Sequence, residues 1–143
     1  MNQQKLPSMY SLTAIGVATF LGSALAAGYM LASNYAALGK RRMGIYTLWG
    51  SCVIVLAFVF LPPSFVTNVP AAIAAMIGQV VLVLFIANKL QGAMFKSFEE
   101  MGGEYYSMGR AVLVGIGASF VLMFVLILLV AIFGVGVQPP ANA

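Results

Sequence analysis

Histidine is absent from this 143-residue chain, and cysteine occurs once, at Cys52. No disulfide can close within one copy, so cysteine usage says nothing about the redox compartment. Zinc sites built from Cys and His cannot be assembled by a single chain. Serine or cysteine nucleophiles activated by histidine are excluded for the same reason. Acidic residues are almost as scarce: only Glu99, Glu100 and Glu104 are present. Charged residues make up 7% of the chain and apolar residues 62%, whereas an average soluble domain is about 25% charged and about 45–50% apolar. Such a chain has too little polar surface to clothe a soluble fold, and it is equally unlike a disordered, coiled-coil or collagen-like sequence. Lipid is the solvent that remains. The net charge of +4 does not point to nucleic acid, because the seven basic residues form no extended basic face.

What is present is a set of four apolar runs, at about 10–33, 45–61, 71–88 and 111–137, none containing a charged residue. A bilayer core needs about 20 apolar residues per helix. The expected fold is all-α, a single four-helix transmembrane domain over residues 1–143 with the spans arranged as two hairpins. Lys40, Arg41 and Arg42 lie in the first connection, Lys89, Lys96 and Arg110 in the third, and only Lys5 in the N-terminal tail. The bias of Lys and Arg towards the cytoplasm then puts both termini outside and connections one and three inside. Lys5 followed by an apolar run and Ala24-Leu25-Ala26 also has the form of a signal peptide. Cleavage there would export the Lys40–Arg42 cluster, so an uncleaved first span is expected instead.

Within the first span Ala14, Ala18, Gly22 and Ala26 recur every fourth residue, and Gly115 in the fourth span has a partner in Ser119. Small residues at this spacing let membrane helices approach closely, either within the monomer or against a partner helix. Gln79, near the middle of the third span, needs a hydrogen-bond partner on another helix or a wet cavity; Thr19, Ser23 and Ser51 are the candidates. The spans carry no Asp, Glu, His, Lys or Arg and no central Gly/Pro break, which argues against coupled transport. Neither cofactor nor metal is expected.

The third connection holds the only concentrated polar chemistry. Leu90, Met94, Phe95, Phe98 and Met101 fall on one helical face, with Gln91, Lys96, Glu99 and Glu100 on the rest, so the third span is expected to run on as an amphipathic extension. Gly102-Gly103 would stop it. Phe95, Phe98, Glu99, Glu100, Met101 and Glu104 are the candidate contacts for a cytoplasmic partner or for the bilayer surface. The three carboxylates without a histidine or a pocket have the look of a solvated face rather than a catalytic or metal site.

The runs GSALAAGYMLASNYAALGKRR (22–42) and GGEYYSMGRAVLVGIG (102–117) resemble a loose group of small, uncharacterised four-helix bacterial inner-membrane proteins. The resemblance covers about a third of the chain. It implies a multi-pass protein of a bacterial cytoplasmic membrane and brings no activity or site residue with it. Packing signatures, short outer loops and a missing catalytic inventory together point to a non-enzymatic membrane protein acting through helix–helix interaction: an accessory subunit, an assembly factor or an immunity-type protein. Its partners would be membrane lipid and either another membrane protein or further copies of itself. The alternative is a small channel or passive transporter formed by an oligomer.

Overall fold

A computed structural model describes residues 6–60 and 67–133. Among them are four helices, each long and apolar enough to cross a membrane: α1 (Leu12–Ala37), α2 (Arg41–Val59), α3 (Val69–Glu100) and α4 (Met108–Phe133). Local chemistry explains their ends. Ser11 caps α1 by accepting the Ala14 N–H at 3.2 Å, and Asn68 caps α3 through the Ala71 N–H at 3.4 Å, as short polar side chains do at helix starts. Gly39 and Gly102 take φ of 71° and 73°. Each lets the chain close a paired set of C-terminal bonds: Gly39 N–H to Ala36 O with Lys40 N–H to Tyr35 O, and Gly102 N–H to Glu99 O with Gly103 N–H to Phe98 O. These satisfy carbonyls that the helix end would leave free.

α1 is not a straight rod. Its helical geometry fails at Gly22 (φ −127°, ψ 16°) and at Ser23 (φ 65°, ψ −176°). The two pieces, 12–21 and 24–37, are about 15 and 21 Å long at 1.5 Å per residue, each shorter than the hydrocarbon core of about 30 Å. They double back on each other. Tyr10, just before α1, donates its N–H to Asn34 Oδ1 near the helix's other end at 2.7 Å, although a continuous helix would separate the two by about 36 Å. The expectation of an unbroken first span is therefore corrected. Gly22 belongs to a run of small residues that suits close packing as well as a turn, so the sequence pattern alone does not announce the break.

This folded hairpin is the centre of the molecule. α2, α3 and α4 each pack on α1 and, within the described residues, none of the three packs on another. The core accordingly consists mostly of α1 side chains, among them Ile15, Ala18, Ala26, Ala27 and Met30. The remaining helices bury narrow stripes. On α3 the buried positions are Val83, Ala87, Gln91, Phe95 and Phe98, one face at near-fourfold spacing. The helix continues unbroken for 32 residues to Glu100, so the extension expected after the third span is present as a continuation of the same helix.

Candidate functional site

The polar chemistry of the chain converges at the end of the bundle where α1 begins and ends. Residues 6–11 are laid across that end. Tyr10 gives its N–H to Asn34 Oδ1 and takes the Asn34 amide on its carbonyl at 2.9 Å, so one carboxamide pairs with a backbone as a neighbouring strand would. The same Asn34 nitrogen donates to Gln91 Oε1 at 3.1 Å, and Gln91 Nε2 donates to the Leu31 carbonyl at 3.0 Å. Asn34 and Gln91 are both fully buried, at 0% exposure. Burying amides is costly unless they are bonded. No buried side-chain nitrogen or oxygen among the described residues is left without a partner. The Tyr35 hydroxyl completes the α1–α3 join by donating to the Leu90 carbonyl at 3.2 Å.

On its other side the 6–11 segment meets the connection between α3 and α4. Met9 and Tyr105 form an isolated parallel bridge, and the Tyr106 N–H donates to the Met9 carbonyl at 2.8 Å. The Tyr10 and Tyr106 rings lie 4.7 Å apart and tilted by 48°, with the Arg110 guanidinium 4.0 Å above Tyr106. Such a stack combines ring packing with cation–π attraction. Next to it the Tyr105 hydroxyl donates to Glu99 at 3.1 Å. Burial pushes the Tyr105 phenol up to about 12, and the neighbouring carboxylate adds to the rise by favouring the protonated hydroxyl.

Several expected site residues fall elsewhere. Phe95 and Phe98 are buried: the Phe98 ring lies against Gly103 and 5.3 Å from Tyr105, so the chain itself covers the aromatic part of the face assigned to a partner or the bilayer. Met101, Glu99, Glu100 and Glu104 remain exposed. Gln91, read as part of the polar face, is instead the central buried amide. Gln79 is half-buried, and among the described residues no hydrogen bond ties it to another helix. Its three expected partners are engaged close to home: Thr19 with the Ile15 carbonyl, Ser51 with the Leu48 carbonyl, and Ser23 with the Leu25 N–H. Gln79 extends the buried α3 stripe by one turn, but that turn lies level with the tip of the α1 hairpin, where Phe20 and Leu21 face Val80.

The small-residue positions are packing sites within the chain. Ala14, Ala18, Gly22 and Ala26 are all buried, although Ala26 lies beyond the break and not on one continuous face with the other three. A Cβ on Gly22 would stand 2.8 Å from the Gly115 Cα and carbonyl carbon, and one on Gly115 would stand 3.1 Å from the Ala18 carbonyl. Ser119 donates to the Leu21 carbonyl, satisfying a backbone group near the break as membrane interiors require. Beyond the hairpin tip an apolar cleft of about 620 Å³ opens between Leu21, Gly22 and Ser23 and the far half of α4.

No protein-family model, no curated protein and no solved structure matches this chain.

Proposed function

We propose that the chain is a non-enzymatic, multi-pass protein of a bacterial inner membrane that works through helix–helix contacts, as an accessory subunit, assembly factor or immunity-type protein. The observation that carries this reading is the arrangement of α2, α3 and α4, which pack on α1 and not on each other. A bundle so open at its sides leaves long apolar helix faces available to another membrane protein: Phe85, Phe120, Phe124 and Ile132 are each more than half exposed. Membrane helices associate by fitting such faces together. The test is copurification after crosslinking, with Phe120→Ala and Phe124→Ala variants as controls. A partner held in fixed ratio by the wild type and lost from the variants supports this reading; an invariably solitary chain contradicts it.

The doubled-back α1 also bears on orientation. It favours termini on opposite sides of the membrane over the arrangement with both outside. If α1 enters and leaves at one face, only α2, α3 and α4 cross. Lys40, Arg41, Arg42, Lys89, Lys96 and Arg110 then lie towards the end that carries residues 6–11. These six basic residues, all those among the described residues, fall on one side, and the positive-inside rule assigns that side to the cytoplasm.

A second reading, a passive channel or transporter, is favoured by one observation, the mid-helix break. Broken helices inside membranes recur where substrates pass, and Ser23 and Ser119 both line the cleft beyond the hairpin tip. Solute or ion flux into liposomes containing the purified chain alone supports this reading, and tight liposomes contradict it.

A further inference from the structure

A groove of about 300 Å³ runs between α2 and α3, floored by the second half of α1. It opens towards the membrane between two helices whose Cα atoms nowhere come within 8 Å of each other among the described residues. Its α2 wall runs from Met43 to Ile54, about 16 Å along the helix, and its α3 wall includes Val83 and Leu90. The lining is apolar but for a few hydroxyls. Where the groove reaches the cationic end of the bundle, Lys40, Arg41 and Arg42 immediately precede Met43, and Lys89 adjoins Leu90; all four are exposed. Among the described residues no ion pair joins any of them to an acid, and Glu99 is engaged by Tyr105.

We propose that this groove binds an anionic phospholipid, with an acyl chain along the α2–α3 gap and the phosphate at its basic end, near Arg42 and Lys89. The occupant follows from charge and shape together. An apolar slot that opens sideways into the bilayer admits a hydrocarbon chain, and cations at its basic end that no carboxylate neutralises, Lys89 resting only on the Phe85 ring at 5.8 Å, favour a negative headgroup over a zwitterionic one. Basic pockets between helices at the cytoplasmic interface recognise anionic headgroups by this combination. Gly50 supplies a means of closing the slot. It lines the groove, and a Cβ there meets nothing within 4 Å, so Gly50→Leu starts from open space and puts bulk into the slot.

The site rests on the membrane reading but on neither the partner nor the pore, because lipid retention in micelles is read from the chain alone. The full chain, purified in detergent, is mixed with equimolar dioleoyl phosphatidylglycerol and dioleoyl phosphatidylcholine and its adducts are weighed by native mass spectrometry. Preferential retention of phosphatidylglycerol is expected. It should fall by about fivefold for each of Arg42→Gln and Lys89→Gln, the effect of one interfacial cation, and vanish in Gly50→Leu. Equal retention of the two lipids, a dimer without lipid, or undiminished phosphatidylglycerol in a folded Gly50→Leu each overturns the site. A phosphatidylglycerol with a diazirine on its acyl chain gives a readout independent of any variant. Crosslinks within 43–54 or 83–90 support the groove, and crosslinks confined to α4 contradict it.

Discussion

Asn34 holds Tyr10 by both backbone groups, accepting its N–H at 2.7 Å and donating to its carbonyl at 2.9 Å across 24 residues of chain. That pair fixes the two ends of α1 side by side, and it is bonded in turn to Gln91 on α3. Asn34→Ala would leave the Tyr10 N–H and carbonyl buried and unmet, at a cost of about 1–3 kcal/mol. Gln91→Leu should cost less, about 1 kcal/mol, because Asn34 keeps both Tyr10 bonds. Thermal melts in detergent should rank the variants in that order. Equal melting of Asn34→Ala and wild type would mean that the clasp does not hold α1 closed.

Adjacent residues at the hairpin turn should respond with opposite signs. A methyl group on Gly22 runs into the Gly115 backbone, which cannot swing aside as a side chain could, so Gly22→Ala should destabilise by about 1–3 kcal/mol. Ser23 carries φ 65° and ψ −176°, a region that glycine occupies freely and other residues only under strain. Ser23→Gly should therefore raise stability by about 1 kcal/mol. Melting temperatures that move in the same direction for both would contradict the geometry of the turn.

The Tyr105–Glu99 contact gives a pH-dependent test outside the spanning segments. With the phenol raised from 10.0 to about 12 in the fold, its contribution to stability is present below the unfolded value and is lost as pH climbs through about 12. Ultraviolet titration of the tyrosinates should lose its latest-titrating component in Tyr105→Phe. In Glu99→Gln that component should move to lower pH, since the charge that favours the protonated phenol is gone. A late component unmoved in both variants would place the high-titrating group elsewhere.

Four apolar helices were legible because about 20 uninterrupted apolar residues leave few alternatives. The path of the first was not. Gly22 reads equally as a packing glycine and as a turn, and what decides between them lies far off in sequence: Asn34 on Tyr10, Gly115 under Gly22, Ser119 on the Leu21 carbonyl. The buried amide was missed for a related reason. Gln79 stands out against apolar neighbours while Gln91 sits among polar ones, yet the fourfold series Val83, Ala87, Gln91, Phe95 carried the signal. Residues 6–11 gave no periodicity to read, and Phe95 and Phe98 therefore looked free for a partner when the chain's own end segments cover them.

The most direct measurement concerns the side of the membrane on which α1 starts. In a Cys52→Ser background, single cysteines at Pro7, Lys40 and Thr67, all exposed positions, are challenged in intact cells with a membrane-impermeant maleimide. A doubled-back α1 requires Pro7→Cys and Lys40→Cys to share one fate, protected until the cells are permeabilised, and Thr67→Cys to label from outside. Labelling of Pro7→Cys from outside while Lys40→Cys stays protected would mean that α1 crosses the membrane, and would contradict the re-entrant hairpin.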